Sequence, residues 1–290
     1  MSREAGKKEA ITEYEVKIEN YWCANRNRSR RLSHAQHPVG RCLSSLIIDT
    51  GRVTLETGLF SGDAVCGARV GGSEMWNSIG CALVWPNGKA YFFSGNEYVR
   101  YDIKADRVDD GYPLPIAGNW RGLWSPAGAG VVWPNGKAYF LRGTEYVRYD
   151  NKADRPDSGY PLPIAGNWKG LSLSRVDAAV VWPNNKAYLF GHYDTGAPFG
   201  ADGYVRFDVV KDQQDPGYPT SVAANWKGLN SPIDAAVVWP NGKAYFFQGL
   251  FYSRYDVKAD RVDAGYPRPI LNNWPGIPIA PPGPPSHPVD

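Results

Sequence analysis

Hydrophobic and polar positions along this chain fall into short runs, with none of the long stripes of a helical protein. From residue 81 onward an apolar run, a tight turn, a second apolar run, another turn and a third, alternating run follow one another. The first instance is CALVWPNGKAYFF from Cys81, in which Pro-Asn-Gly folds strand one back onto strand two as a hairpin. Tyr91 and Phe93 then share one face of strand two, and Ala90 and Phe92 the other. Both faces are apolar, as expected of a sheet packed between neighbours. Gly95 and Asn96 make the next turn, and strand three sends Tyr98, Arg100 and Asp102 to one side and Val99 and Tyr101 to the other. The loop through Gly111-Tyr112-Pro113 leads to a closing element near Ile116 to Leu123, an edge strand or a turn of helix.

This unit recurs. Gly-Tyr-Pro appears at Gly111, Gly159, Gly217 and Gly265, with spacings of 48, 58 and 48 residues. Each copy opens on a run ending in Trp-Pro-Asn, from Cys81, Ala129, Ala178 and Ala235. Each continues into Tyr-x-Arg-aromatic-Asp, at Tyr98, Tyr146, Tyr204 and Tyr252, and closes on Asn-Trp, at Trp120, Trp168, Trp226 and Trp274. A unit of this length with three or four antiparallel strands predicts a propeller blade, and the absence of a sustained helical period disfavours helical repeats.

The four copies resemble hemopexin repeats. The resemblance implies an all-β fold, a four-bladed β-propeller around a narrow tunnel over residues 79–276, with blades at 79–126, 127–174, 175–231 and 232–276. Members of that family often close the ring with a disulfide between the first and last blades. Blade four has no Cys, so closure here is expected to rest on packing. Blade three carries extra residues from His192 to Ala201, an aromatic-bearing insertion where a private function would be placed. A tolerated surface insertion is the competing reading.

Residues 1–78 show no register with the blades. The apolar stretch Leu43 to Ile48 and the alternation from Arg52 to Leu59 suggest a small β-rich or partly disordered extension. The tail 277–290 belongs to a stretch with seven Pro in its last sixteen residues, which favours an extended linker or disordered end.

Composition narrows the function. The 290 residues are 43% hydrophobic and 21% charged, with 32 basic against 29 acidic side chains, so wholesale disorder is excluded. A net charge of +3 is too small for a broad nucleic-acid or membrane footprint. No apolar run approaches a membrane span. The first 20 residues show no secretory leader, so a cytoplasmic protein, or one released by another route, is expected. The four cysteines lie at 23, 42, 66 and 81, too clustered for a disulfide framework over the rest.

The strongest candidate chemistry is at the tunnel, where the innermost strand of each blade runs along the axis. Gly80, Gly128, Asp177 and Asp234 stand five residues before each strand-end Trp, and Ala82, Gly130, Ala179 and Ala236 two further on. A ring of backbone carbonyls completed by water is a sensible partial cage for a hard cation such as calcium. The resemblance implies calcium, sodium or chloride at these positions. Sterics alone explains the small residues, and two acidic side chains instead of four suggest modest affinity.

Arg100, Arg148, Arg206 and Arg254 invite a ligand-site reading, but recurrence in every blade favours pairing with nearby acids and covering of aromatic rings. Cys23, His34, His37 and Cys42 fit no compact zinc spacing, and the basic run from Arg26 to Arg31 lacks stacking aromatics. Cys81 replaces Ala in the repeats and reads as a buried small residue. No nucleophile elbow, zinc-protease or P-loop motif is present.

The resulting expectation is a non-enzymatic, lectin-like binding propeller. Family members bind haem, polyamines, glycans or proteins. A small polar ligand or glycan is favoured, with His192, Tyr193 and Phe199 as candidate contacts; haem is less favoured because axial His are scarce. The alternative is an interaction or targeting module for a partner enzyme or toxin.

Overall fold

The computed structural model describes residues 22–25, 39–49, 52–61, 64–67, 69–70, 73–196 and 201–281. The chain divides into two compact units, Met1–Met75 and Trp76–Asp290. In the first, β1 (Trp22–Asn25) pairs with β4 (Ala64–Gly67), β2 (Val39–Asp49) with β3 (Arg52–Ser61) and β5 (Arg69–Val70) with β6 (Ser73–Glu74), all antiparallel. The expected apolar and alternating stretches thus become the long β2–β3 hairpin, with a bulge between Leu43 and Ser45. His34, His37 and the run Arg26 to Arg31 lie outside the described residues.

The second unit is an all-β four-bladed propeller. Blade one runs from the centre outward as β7 (Cys81–Val84), β8 (Lys89–Ser94), β9 (Glu97–Asp102) and β10 (Arg107–Val108), with β11 (Leu114–Pro115) on the other end of β9. Blade two repeats this with β12 (Ala129–Val132), β13 (Lys137–Arg142), β14 (Glu145–Asp150), β15 (Arg155–Pro156) and β16 (Leu162–Pro163). Blade three has β17 (Arg175–Val181), β18 (Lys186–Tyr193), β19 (Ala201–Asp208) and β20 (Gln213–Gln214), and α1 (Val222–Asn225) in its closing segment. Blade four has β21 (Ala235–Val238), β22 (Lys243–Gln248), β23 (Phe251–Asp256), β24 (Arg261–Val262) and β25 (Arg268–Pro269). The central strands β7, β12, β17 and β21 each touch the next, and β21 returns to β7, so the ring is closed. Among the described residues no helix is long and apolar enough to cross a membrane.

The closing Asn-Trp of each blade is the wedge between blades. Trp120 packs against Trp85, Tyr91, Phe93 and Tyr98 of its own blade and against Phe140 and Tyr149 of the next, with centroids 5.0–5.9 Å away. Trp274 does the same across the seam, touching Phe92 and Tyr101 of blade one at 5.3 and 5.5 Å. Edge-to-face geometry dominates, which suits the aromatic quadrupole. The ring thus closes by packing, as expected from the missing cysteine.

Hydrogen bonds complete the seam. Trp76 N–H donates to Pro278 O at 2.6 Å, Ala280 N–H to Trp76 O at 2.8 Å and Val108 N–H to Pro275 O at 2.9 Å. The propeller therefore extends beyond the expected limits of 79–276: Trp76, Ile277 and Ile279 are buried in the seam core, and only residues 282–290 of the proline-rich end fall outside the described residues. The surrounding prolines mask the alternation that buries the two isoleucines. Two further junctions carry the equivalent of the Val108 bond, Gln214 to Lys169 and Val262 to Lys227, each 2.9 Å. Between blades one and two the donor position is Pro156, which has no N–H.

Candidate functional site: the axial tunnel and the blade-three rim

The register of each central strand decides what faces the axis. Trp85 N–H donates to Lys89 O at 2.8 Å, so residues 85, 83 and 81 face β8 with their main-chain groups. Ala82 and Val84 must turn theirs the other way, toward the axis. Equivalent bonds from Trp133 to Lys137, Trp182 to Lys186 and Trp239 to Lys243, at 2.7–2.8 Å, fix the same parity in every blade. The outcome is a cavity of about 150 Å³ lined by the four central strands from Ala82, Gly130, Ala179 and Ala236 to Val84, Val132, Val181 and Val238. Each ring offers four C=O and four N–H groups. The alanine and glycine ring was expected; the valine ring was not, although the same period of two could have found it.

Side chains of these strands point at neighbouring blades, since a strand's side chains stand perpendicular to its sheet. Gly130 shows how tightly the strands approach. A Cβ there would lie 2.5 Å from Cys81 Sγ, so the sulfur of blade one fills the space that Ala occupies at the equivalent sites. Cys81 is 1% exposed, as expected, and burial pushes its thiol pKa up.

The second expected ring, Gly80, Gly128, Asp177 and Asp234, lies one step beyond the cavity lining. Gly80 and Asp234 donate their N–H away from the axis, to Phe93 O and Phe247 O of the second strands, each at 2.9 Å. Asp177 is the bulged residue of β17, between the paired Val176 and Ala178. At Gly128 a Cβ would sit 1.8 Å from Leu141 O, so only glycine fits this strand approach. Asp177 accepts two bonds from Arg175, at 2.7 and 3.1 Å, and Asp234 Oδ2 accepts one from Gly249 N–H at 2.6 Å. Burial pushes the Asp234 carboxyl up, the Gly249 bond opposes this, and the Asp177 charge adds to the rise. Among the described residues no three His, Cys, Asp or Glu side chains gather as a metal cluster.

Part of the blade-three insertion is strand, not loop. His192 and Tyr193 end β18 and Ala201 begins β19, so both strands reach eight residues where the other blades have six. His192 Nδ1 lies 3.1 Å from Asp202 Oδ1. Tyr193 lies across Gly203, where a Cβ would come 2.5 Å from its ring. The third candidate contact, Phe199, lies outside the described residues. His192 and Tyr193 thus share a hairpin end near Asp177, but their rings point into contacts of their own.

The repeated arginines act as the scaffold reading expected. Arg100 Nε bonds Asp109 at 2.5 Å while its guanidinium lies over Tyr112 at 5.3 Å, and the other blades copy this with Asp157, Asp215 and Asp263. Lys89 joins Asp109 to Asp102, at 3.2 and 2.7 Å, a link that no local sequence pattern shows. The Lys89 bond and the Ala105 N–H hold the Asp102 carboxyl down at about 2. At Asp109 burial opposes the charge, but the bonds from Arg100 and Lys89 prevail and lower the carboxyl.

This geometry matches a known family. The family model described as Hemopexin matches residues 82–125, 129–172 and 233–278. The propeller belongs to the hemopexin-like repeat family. Within the propeller the matched residues leave out blade three, where the hairpin is lengthened and the repeat spacing grows to 58. A human relative, stromelysin-3, is 48% identical over 40 residues, which is 14% of this chain and 8% of that protein. The chain therefore spans a small fraction of that relative's length. A seed albumin from Lathyrus sativus, LS24, is similar in structure with a TM-score of 0.59 and 20% identity, over 70% of this chain and 99% of the albumin. A plant lectin with two metal binding sites from Cicer arietinum gives 0.56 and 20%, over 68% of this chain and 96% of the lectin. At such identities the likeness is one of fold.

Proposed function

We propose that this hemopexin-like propeller is a non-enzymatic binding protein that holds a hard cation in its tunnel and uses the raised rim of blade three for a small polar ligand or glycan. The observation that carries the reading is the ring of Ala82, Gly130, Ala179 and Ala236, whose unpaired main-chain groups converge on one cavity. Calcium takes about six to eight oxygens, so four carbonyls of one ring would need water or the second ring to complete the shell. Sodium asks for less. The N–H groups of the same residues give chloride a place beside the cation.

The residues present fit such an ion. Backbone oxygen suits a hard cation, and no thiolate or imidazole set competes for a softer metal among the described residues. A lectin of this fold with two metal sites supports both the ion and the glycan. Haem is the weaker ligand, since the one His inside the propeller repeats, His192, already contacts Asp202 through Nδ1. A protein-docking role is favoured by exposed apolar side chains: blade four replaces the Asn96-Glu97 turn with Leu250-Phe251, and Phe251 is 40% and Val210 of blade three 78% exposed.

Metal analysis of the purified protein, followed by calcium titration with thermal unfolding as readout, tests the ion. Co-purified calcium or a rise in Tm is the expected result; neither of these, with sodium also inert, removes the tunnel assignment. A glycan array with haemin and spermine as separate arms tests the ligand, and silence on all of them with a stable protein complex favours the docking role.

A further inference from the structure

We infer that Arg175 is a fixed counter-charge at the tunnel mouth that sets the tunnel against divalent cations. The inference rests on the tunnel reading and names the residue that determines its selectivity.

Blade three is the source of the effect. Its central strand begins earlier than the others because β18 and β19 are longer, and this places Arg175 two residues before Asp177. The same place in the other blades holds Ser78, Pro126 and Pro232, none of them charged. Arg175, His192 and Asp202 stand directly opposite one another across β17, β18 and β19, so their side chains share one face. The guanidinium grips both oxygens of Asp177, and the Asp202 charge attracts it further. Arg175 is therefore anchored at the axial end of the blade although 58% of its side chain is exposed.

This arrangement lowers the negative charge that would draw a divalent ion. Asp177 and Asp234 are the only acidic side chains at the four equivalent positions. Asp177 is neutralised by Arg175 as an ion pair, and Asp234 is tied to Gly249 N–H. With Asp202 beside Arg175, this end of the central strands carries two net negative charges where the three carboxylates alone would give three. Repulsion from a fixed positive charge doubles between a monovalent and a divalent ion, so the guanidinium weakens calcium more than sodium.

Calorimetric titration with calcium chloride at low, constant ionic strength tests this on the full chain. Arg175→Met is expected to bind calcium about tenfold more tightly than the wild type, while Arg175→Lys keeps the wild-type affinity because it keeps the charge. Arg261→Met, on the outer strand of blade four, is the remote control and is expected to match the wild type. Equal calcium affinity in Arg175→Met and wild type, with both binding, overturns the role of Arg175 alone. The same holds if Arg261→Met tightens binding as much. Absence of binding in wild type and Arg175→Met alike overturns the tunnel reading and this inference with it.

Discussion

The contact between Cys81 and Gly130 predicts a strongly non-additive pair of substitutions. A methyl group added at residue 130 would come 2.5 Å from Cys81 Sγ, 3.1 Å from Leu83 Cδ2 and 3.2 Å from the Phe140 ring. The sulfur and the Leu83 and Phe140 side chains are buried between blades one and two, so the overlap cannot be relieved by moving outward. Overpacking of this kind costs about 1–3 kcal/mol. Cys81→Ala alone loses a buried sulfur and leaves a small void, an effect of about 1 kcal/mol. In the double variant the new methyl occupies the space the sulfur vacates, restoring the Ala–Ala pairing of the other blades. Gly130→Ala should therefore be much less harmful on the Cys81→Ala background, with a coupling of about 1–2 kcal/mol. Each kcal/mol corresponds to about 2–4 °C in Tm for a unit of this size. Urea unfolding of the four proteins measures the cycle, and strictly additive changes would refute the proposed exchange of volume between neighbouring strands.

Three other outcomes follow from the packing. Ser253 is 1% exposed with an unpartnered Oγ where the other blades have Val99, Val147 and Val205, so Ser253→Val should raise stability by about 1–2 kcal/mol in urea titration. Trp274→Ala removes the aromatic wedge at the seam and should cost about 3–5 kcal/mol, read as a fall in the unfolding midpoint. Asp102, Asp208 and Asp256 are held at about 2 by bonds from Lys89, Lys186 and Lys243, below their ordinary 3.8. Because the folded form holds these protons more weakly, their stabilisation is intact above about pH 4 and is lost as pH falls toward 2. Thermal midpoints across that range should drop steeply, and Lys89→Met should flatten the slope.

Much of the propeller was legible because four copies report the same alternation, and each Pro-Asn turn fixes which strands pair. The arginine pairing was legible for the same reason. The Lys89 bridge was not, because Lys89 and Asp109 are 20 residues apart and meet only through the register of β8 and β9. Ile277 and Ile279 were hidden by the prolines around them, and their burial depends on the partner strand segment at Trp76. The blade-three insertion was placed correctly along the chain, but its strand character depends on cross-strand partners such as Arg175, which no local pattern reveals. The direction of the tunnel carbonyls needs one hydrogen bond per blade, after which parity gives the rest.

The parallel bridge between Trp76 and Ile279 makes the points where the chain joins and leaves the ring adjacent. A short linker between them, with new termini cut into the exposed Pro134-Asn135 turn, should yield a circular permutant that keeps every blade. Such a rearranged chain would have no free edge at the old seam. The circle, once assembled, has no privileged first blade.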